Sequence, residues 1–500
     1  MAQGAKAYFE DHQESKDLGR QAVRGGILSV ATQYGGGALQ ILAAVILARL
    51  LTPADFGLVA IITVLTSFAP LLIDFGLGDA TTQRKKITPS RISSLFWLAS
   101  GIGLALAVTL AACSPLIAAV YREPVLEPIA LCTSITFVLW GLSNQHLALL
   151  RRTMQFGRIA KIQLLGALAG IAAAIVLAIA GWGYWALVVR PIVNALCVVV
   201  GAWLACRWRP GLPAFDNEVK SMVRFGLHVV GFSVTYTVAK AVDRIALGLF
   251  YRPDQVGYYQ NAITLYENSI FSALGQVHTV GSAALSKLQS NVAALRRKYQ
   301  AALSALAFFV MPAAAILSVT GEDVTVILLG EKWRAAGSLL RIIALRGIPQ
   351  VIEASQGWLH LSIGRADRWR NWGIVSLAVQ IAAVLAGLPF GPTGVAVACV
   401  IASILIAIPS INYAGRPIGL GAGLVVRAVG PQLIGAISAA AGGSWLQMTV
   451  LAHYSSLVRI VSSASVCACI YLIVVVGLFR LTEPMRVARS VVQDRLRSNR

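Results

Sequence analysis

Apolar runs long enough to cross a bilayer recur along almost the whole of this 500-residue chain. About 20 consecutive apolar residues span the hydrocarbon layer as an α-helix. A helix is favoured there because it satisfies its own backbone hydrogen bonds. Hydrophobic residues make up 57% of the chain and charged residues 13%, which excludes an ordinary soluble globule. The sequence therefore predicts an all-α polytopic membrane protein.

We count about fourteen such runs and treat each as one predicted transmembrane span. They lie at residues 26–50, 57–78, 92–120, 126–148, 160–181, 183–206, 225–251, 257–284, 299–319, 337–361, 372–389, 393–413, 425–448 and 457–479. The longest predicted outside segment, residues 321–337, is half apolar and contains Trp333. We therefore expect it to lie at the membrane interface.

The distribution of basic residues tests this layout. If the N-terminus is cytoplasmic, the inside segments hold 31 Lys and Arg residues and the outside segments hold 6. Basic residues favour the cytoplasmic side of a membrane, so the asymmetry predicts an even number of spans and two cytoplasmic termini. The same loops account for the net charge of +21, and no basic tract is interleaved with aromatic residues. This pattern argues against nucleic-acid binding.

Nothing in the sequence predicts a metal, a cofactor or a removable signal peptide. The seven cysteines contain no C-x-x-C pair, and the histidines form no cluster with metal-ligand spacing. The polar N-terminus lacks the apolar core of a signal peptide. A GxxxxGK[ST] motif is also missing, so we expect no nucleotide to drive the protein.

The seventh predicted span, residues 225–251, carries Lys240, Asp243 and Arg244 in its apolar middle. Charges at membrane depth usually face a bundle interior or a watery cavity. The spacing i, i+3, i+4 puts these three on one helix face. Asp243 neutralises one cation and leaves about one positive charge. Two interpretations stay open: a cavity face that meets an anionic substrate, or a self-contained structural ion triad.

Further polar residues fall inside predicted spans. The candidate substrate contacts are Lys240, Arg244, Arg341, Arg346, Arg190 and Gln40. Arginine suits bidentate phosphate contacts, and lysine supplies a point charge. Arg341 and Arg346 are about 140° apart on a regular helix, so they do not share one face. The alternatives are that Arg190 snorkels to the interface and that Gln40 forms an interhelical hydrogen bond.

Ion coupling needs a carboxylate that binds a proton or Na⁺ inside the membrane. Glu267 in the eighth span is the first candidate, because it falls near one stripe with Gln260, Thr264 and His278. Its alternative roles are a structural hydrogen bond and a sugar contact. Glu353 lies seven residues after Arg346, on the same helix face. The two residues form either a structural ion pair or part of a cavity. The further coupling candidates are Asp243, Glu353 and Asp74.

An internal repeat relates the two halves of the chain. A P-x-x-x-G motif with an acidic residue inside it follows both the first and the seventh span. Its members are Pro53, Asp55 and Gly57 in one half and Pro253, Asp254 and Gly257 in the other. The offset of 200 residues equals six spans, an even number that preserves orientation. Spans 1–6 and 7–12 are therefore predicted to be parallel lobes. Gln40 corresponds to Lys240, and we expect these two to face each other across a cavity.

Three stretches also carry a family signature. Residues 48–88 read ARLLTPADFGLVAIITVLTSFAPLLIDFGLGDATTQRKKIT. Residues 239–262 read AKAVDRIALGLFYRPDQVGYYQNA, and residues 328–333 read LLGEKW. They resemble the polysaccharide transporter family, the lipid-linked oligosaccharide flippase branch of the multidrug/oligosaccharidyl-lipid/polysaccharide exporter superfamily. The resemblance extends to about residue 416 and is nearest to members that handle exopolysaccharide and colanic-acid-type units.

The resemblance implies two six-helix lobes around a central cavity that opens alternately to either side, plus two C-terminal helices. The expected boundaries are 1–25 for a cytoplasmic tail, 26–206 for the N-lobe, 207–224 for a cytoplasmic linker, 225–414 for the C-lobe, 415–480 for spans 13–14 and 481–500 for a basic tail. It also implies that the seventh-span charges line a cationic cavity.

The implied activity is transfer of an undecaprenyl-pyrophosphate-linked oligosaccharide from the cytoplasmic to the periplasmic leaflet of a bacterial inner membrane. The expected partners are this lipid-linked oligosaccharide, H⁺ or Na⁺ as coupling ion, and polysaccharide polymerase or co-polymerase proteins. We expect the chain to work as a monomer.

Two other classes are kept as alternatives. A cation-coupled drug antiporter of the same superfamily would have a net acidic cavity, whereas the deep charges in the second half lean basic. A membrane glycosyltransferase, polymerase or ligase would carry a sizeable outside loop or a catalytic acidic motif in a loop, and the sequence shows neither. We therefore expect a transporter and not an enzyme.

Overall fold

The computed structural model describes residues 35–74, 78, 81–82, 87–214, 237–271 and 291–481. Within these ranges the chain is helical apart from short connections. The chain divides into two compact units, Met1–Gly257 and Tyr258–Arg500.

The first unit contains helices α1 to α7 and the start of α8. Their bounds are α1 Gly35–Leu50, α2 Pro53–Thr66 with a second segment Ala69–Asp74, α3 Pro89–Tyr121, α4 Leu126–Arg152, α5 Phe156–Ile179, α6 Trp185–Ala205 and α7 237–250.

The second unit contains the rest of α8 and helices α9 to α14. Their bounds are α8 Pro253–Tyr266 with a π-helical turn Glu267–Phe271, α9 Val292–Leu329, α10 Arg334–Ala344 with a second segment Gly347–Ser362, α11 Ala366–Gly387, α12 Gly391–Gly415, α13 Ala422–Thr449 and α14 Ser456–Leu472 with a π-helical turn Ile473–Leu478.

Nine helical stretches of the described chain are long and apolar enough to cross a membrane, and the two bent segments of α10 together add one. One of the nine, Asp367–Ile418, has 52 residues. As one straight helix it would be about 78 Å long, much longer than the roughly 30 Å of the hydrocarbon layer. It is a hairpin of α11 and α12, because Gln380 Nε2 lies 3.1 Å from Cys399 Sγ. The predicted all-α, multi-span fold is confirmed. The count of fourteen stays a prediction, because α1, α7 and α8 each reach the limit of the described residues.

The predicted outside segment 321–337 is not a loop. Helix α9 continues through it to Leu329, and Trp333 is fully buried in a short 3₁₀ turn. The glycine at position 337 allows this packing, since a Cβ atom there would lie 2.6 Å from Glu322 Cα. Trp333 therefore packs inside the protein, and the expectation that the segment lies at the membrane interface stays a prediction.

The first helical turns of α2 and α8 cross each other at backbone distance. A Cβ atom on Gly57 would lie 1.7 Å from the carbonyl oxygen of Pro253, and one on Gly257 would lie 1.9 Å from the carbonyl oxygen of Pro53. The contact is reciprocal, as expected for two copies of one motif related by a two-fold axis. This geometry supports the internal repeat and explains why each motif contains a glycine.

The connections that lead into α2 and α8 also share their local structure. In each, the preceding helix ends with a backbone hydrogen bond of 2.8 Å, from Leu51 N to Leu47 O in one and from Tyr251 N to Leu247 O in the other. In the first copy Thr52 forms a capping box at the start of α2. A capping box satisfies amides that the first helical turn leaves unpaired, so the sequence fixes the start of α2 locally.

The described part of α7 packs within the first unit. A Cβ atom on Gly248 would lie 2.8 Å from Tyr121 Cε1 and 3.1 Å from Ile61 Cγ1, which places α7 against α2 and α3. These contacts explain why the compact unit ends at Gly257. The lobe boundaries predicted from the sequence stay predictions.

Helix α9 is central to the second unit and packs against α10, α13 and α14. Gln432 of α13 donates to Ser304 Oγ at 2.8 Å, and the Tyr471 hydroxyl of α14 donates to the carbonyl oxygen of Phe308 at 3.1 Å. The two C-terminal helices are therefore tied to α9 by polar contacts as well as by apolar packing.

A buried carboxylate strengthens this attachment. Asp323 of α9 is 2% exposed, and its Oδ2 accepts a hydrogen bond of 2.8 Å from Gln447 of α13. The same oxygen lies 3.2 Å from Arg459 Nε of α14. One side chain thus joins three helices of the second unit.

Candidate functional site

Helix α7 carries the three charged side chains predicted from the sequence. Asp243 is 3% exposed, and its Oδ1 lies 3.5 Å from Arg244 Nε. Arg244 Nη2 also donates to the carbonyl oxygen of Lys240, so its guanidinium lies back along α7. Lys240 and Arg244 are half-buried. Two cations and one carboxylate give the group a net positive charge, and Asp243 offsets Arg244 as the sequence predicts.

The structure brings together two candidates that the sequence left separate. Arg190 of α6 donates from Nη2 to Gln40 Oε1 of α1 at 2.7 Å. Close packing of α5 against α6 holds this part of α6, since a Cβ atom on Gly170 would lie 2.6 Å from the carbonyl oxygen of Arg190. Gln40 therefore orients a guanidinium in the first unit. Its predicted contact with sugar, opposite Lys240, stays a prediction.

Asp74 lies at the end of the second segment of α2. Its Oδ1 accepts a hydrogen bond of 3.0 Å from Asn144 Nδ2 of α4 and one of 3.3 Å from the backbone of Gly78. These partners make Asp74 a tie between α2 and α4. A carboxylate held by two neutral donors is a weaker candidate for cation coupling than one in an unsatisfied site.

The predicted tenth span is a broken helix. Its two segments meet at 53°. Pro349 explains the break, because proline lacks the N–H that would continue the backbone ladder to the preceding turn. Gly347 lets the break pack closely, since a Cβ atom there would lie 3.0 Å from Ala314 Cβ of α9.

The break separates the two arginines of α10. Arg341 precedes it and donates from Nε to the carbonyl oxygen of Ser318 at 3.1 Å, so it is tied to α9. Arg346 lies within the break itself. The two guanidinium groups therefore belong to differently oriented parts of the chain, in line with the prediction that they do not share one helix face.

Arg346 is the centre of a cluster from α8, α10 and α12. Glu353 interacts electrostatically with Arg346 and forms a hydrogen bond with Ser403. Tyr266 is 4% exposed, and Arg346, Glu353 and Glu267 are its charged neighbours. The structure thus joins one predicted substrate contact to two predicted coupling carboxylates.

Glu267 begins the π-helical turn of α8. One turn earlier, Gln260 Nε2 donates to Thr264 Oγ1 at 3.1 Å, so two members of the predicted polar stripe are in contact, while His278 lies outside the described residues. π-Helical turns are frequent at functional sites.

Sequence analysis missed Tyr266 and the Asp323 tie. A tyrosine inside an apolar run is normally a packing residue, and the only signal for Tyr266 was its position next to Glu267. Asp323 and Arg459 lie more than 100 residues apart, so one sequence gives no sign that they meet. No group of three or more His, Cys, Asp or Glu suited to a metal occurs among the residues that the structure describes.

Known proteins resemble the chain in sequence and in fold. The family described as polysaccharide biosynthesis protein matches residues 46–337, more than half of the chain. Lipopolysaccharide biosynthesis protein WzxC of Escherichia coli (strain K12) is 25% identical over 68% of this chain and 70% of that protein. Teichuronic acid biosynthesis protein TuaB of Bacillus subtilis (strain 168) is 25% identical over 61% of this chain and 64% of that protein.

The solved structure of the lipid II flippase MurJ, in an inward closed conformation, matches with a TM-score of 0.70 at 16% identity. The match covers 91% of this chain and 99% of the MurJ chain. At that identity the likeness shows the fold alone. With the sequence match over residues 46–337, the chain belongs to the polysaccharide biosynthesis protein family.

Proposed function

We propose that this protein is a flippase for a lipid-linked oligosaccharide. The substrate is an oligosaccharide repeat unit on undecaprenyl pyrophosphate, moved from the cytoplasmic to the periplasmic leaflet of the bacterial inner membrane. The product feeds the synthesis of an exopolysaccharide or another surface polysaccharide. Both termini lie in the cytoplasm, as the basic residues of the loops predict.

The observation that carries this proposal is the net positive charge of Lys240, Asp243 and Arg244 on the apolar helix α7. Cations at membrane depth are costly and mark substrate or ion pathways. A pyrophosphate supplies the opposite charge, and guanidinium groups bind its oxygens well. The names of the relatives in lipopolysaccharide and teichuronic acid biosynthesis support a saccharide substrate.

The transport itself needs no covalent step. The side chains of α7 attract the pyrophosphate, while the Gln40–Arg190 pair offers amide and guanidinium donors to the sugar or phosphate. Arg341 and Arg346 are further candidate contacts in the second unit. The proposed mechanism is alternating access, in which the polyprenyl tail stays in lipid while the polar head group passes through the protein.

The energy source in this proposal is an H⁺ or Na⁺ gradient. Glu267 and Glu353 are the favoured coupling carboxylates, because they share the cluster around Arg346. Asp243 and Asp74 are less favoured, since Arg244 and Asn144 respectively engage them. Polysaccharide polymerase or co-polymerase proteins are the proposed neighbours, and the flippase is proposed to act as a monomer.

Arg244→Ala is expected to lower the initial rate of flipping about tenfold or more. Hydrogen bonds to charged groups contribute roughly 1.5–3 kcal/mol, and about 1.4 kcal/mol is a factor of ten in rate. The assay is leaflet transfer of a labelled undecaprenyl-pyrophosphate oligosaccharide in proteoliposomes, with and without a proton or sodium gradient. Lys240→Ala is expected to act in the same direction, and Arg244→Lys to retain part of the rate.

Arg252→Ala is the matched control, because Arg252 also lies 3.5 Å from an aspartate, Asp254, but has an 85% exposed side chain. Exposed ion pairs contribute little, so this variant should transport normally. Equal rates for wild type and Arg244→Ala would contradict the role of α7. Export of small organic cations with no transfer of the glycolipid would instead support the drug antiporter.

A further inference from the structure

A cluster of nitrogen donors lies in the second unit, where the end of α10, the start of α11 and the end of α12 meet. The ring of Tyr413 on α12 is its centre. The guanidinium carbon of Arg368 on α11 lies 4.1 Å from the centroid of this ring. The Trp372 ring stacks on the Tyr413 ring at 5.5 Å between centroids, and the His360 ring of α10 lies at 6.0 Å. Three side chains that donate hydrogen bonds therefore surround one aromatic ring.

The donors of this cluster are not satisfied within the described part of the chain. Arg368 Nε, Trp372 Nε1 and both ring nitrogens of His360 are buried atoms that form no hydrogen bond there. An indole and a guanidinium only donate, and a neutral imidazole donates from one nitrogen. Buried polar atoms in native proteins are almost always hydrogen-bonded. The cluster therefore favours a ligand that supplies acceptor oxygens.

The cluster also carries an unbalanced positive charge. Arg368 donates from Nη2 to the backbone carbonyl oxygen of Tyr413, which is a neutral acceptor. The carboxylate next to it in the sequence, Asp367, has both oxygens engaged by Arg365, at 3.0 and 2.9 Å. A water molecule would satisfy the donors but not the charge, and a charge held away from bulk water is costly unless it is paired. The cluster therefore favours an anion.

The surroundings of the cluster have the character of a membrane interface. Arg370 and Arg416 are exposed beside it, at the ends of α11 and α12 that the proposed topology places towards the cytoplasm. Val375 follows Arg368 by seven residues on the same face of α11, and it is exposed, as is the adjacent Ile374. Basic and aromatic groups followed along a helix by exposed apolar side chains suit a lipid, with its head group at the cluster and its acyl chains on α11.

We propose that Arg368, Trp372 and His360 bind the phosphate of an anionic phospholipid from the cytoplasmic leaflet. The guanidinium supplies the charge, and the indole and imidazole N–H groups donate to further phosphate oxygens. A phosphodiester carries a single negative charge, which balances Arg368. The pyrophosphate of a transported glycolipid carries more charge than this site offsets. The site therefore holds a bound membrane lipid, in addition to the proposed flippase activity.

The head group beyond the phosphate decides which phospholipid fits. Choline would bring a second cation beside the exposed Arg370 and Arg416, whereas glycerol brings none. Because like charges repel and basic residues attract anionic lipids, phosphatidylglycerol should bind more tightly than phosphatidylcholine. Diacylglycerol has the same acyl chains without the phosphate and should bind weakest.

Lipid binding is measured on the purified, delipidated full-length protein by native mass spectrometry. The probes are phosphatidylglycerol, phosphatidylcholine and diacylglycerol with identical acyl chains. We expect one phosphatidylglycerol to bind more tightly than any further copy. Arg368→Ala should weaken this tight binding about tenfold or more, in line with the loss of a hydrogen bond to a charged group.

Arg370→Ala is the matched control, because it removes a positive charge from the same helix two residues away. Arg370 is exposed and donates to its neighbour Asn371 at 3.4 Å, so the tight phosphatidylglycerol site should keep its affinity. Trp372→Phe keeps an aromatic ring on Tyr413 and removes only the N–H, so it tests the site even if Arg368→Ala fails to fold. It should weaken phosphatidylglycerol binding severalfold.

Equal losses in Arg368→Ala and Arg370→Ala would show general attraction of anionic lipids and overturn the site. Unchanged phosphatidylglycerol binding in both Arg368→Ala and Trp372→Phe would overturn it as well, and so would equal binding of phosphatidylglycerol and diacylglycerol. Two competitors test the source of the phosphate. Displacement of the tight phosphatidylglycerol by inorganic phosphate, or by an undecaprenyl-pyrophosphate oligosaccharide at equal concentration, would contradict a phospholipid site. The measurement involves no transport, so its result is independent of the proposed flippase activity.

Discussion

Gly57→Ala and Gly257→Ala are each expected to destabilise the first unit strongly, although each adds one methyl group. The new Cβ atoms would lie 1.7 Å and 1.9 Å from carbonyl oxygens of the opposite turn, where real Cβ atoms do not come closer than 3.0 Å. The obstacle is backbone, so no side chain can rotate away and the turns must separate. Overpacking a core costs roughly 1–3 kcal/mol, and we expect the upper end or more, measured as a lower Tm of the purified protein.

The two substitutions should not be additive. Once one methyl group has pushed the turns apart, the second enters a contact that is already open, and residues in contact show coupling of this kind. The double variant should therefore lose much less than the sum of the single losses. Gly36→Ala and Gly101→Ala are the controls, since their Cβ atoms would meet nothing within 4 Å and alanine favours helix. A Gly57→Ala protein as stable as Gly101→Ala would refute the backbone contact.

The sequence predicted the helices well because length and apolarity are local properties. The predicted span 126–148 became Leu126–Arg152, and the predicted span 457–479 became the stretch Ser456–Leu478. The repeated P-x-x-x-G motif also predicted related turns, since a glycine is needed wherever two backbones touch. What the motif could not show is that the two copies touch each other.

The sequence-based predictions were wrong or incomplete where contacts between distant parts of the chain determine how a helix ends or bends. Helix α9 extends beyond its apolar run, and Asp323 in this extension finds partners on α13 and α14, so a carboxylate in a stretch that reads as a loop is buried. The break in α10 was signalled by Gly347 and Pro349, but a proline in a membrane helix alone does not fix a 53° bend. Packing of the α8 turn against this break completes the site.

The candidate site was predicted residue by residue but not as a set. Glu267, Arg346 and Glu353 were each singled out because charges are rare in apolar runs. Their common neighbour Tyr266 was not, because its burial and unsatisfied hydroxyl are visible only in three dimensions. Gln40 and Arg190 are 150 residues apart, and no local pattern pairs them.

Arg459→Ala is expected to destabilise the second unit by about 1–3 kcal/mol, because it leaves the buried Asp323 carboxylate without its charged partner, although Arg459 itself is 27% exposed. Arg459 is the charged partner of Asp323, whose side chain is 3% exposed. Without it, only the neutral amide of Gln447 remains on the carboxylate oxygen. The result should be a large fall in Tm and loosening of α14 from α9, detected as faster proteolysis near the C-terminus.

The double variant Asp323→Leu with Arg459→Leu should recover most of this loss, because an apolar pair removes the desolvation cost of both charges. The control pair is Arg365 and Asp367, whose atoms are closer, at 2.9 Å, but whose side chains are 49% and 54% exposed. Arg365→Ala should leave Tm unchanged although it breaks the shorter contact. Burial and not distance then decides the effect, and equal losses for Arg459→Ala and Arg365→Ala would show that the Asp323 pair is solvated after all.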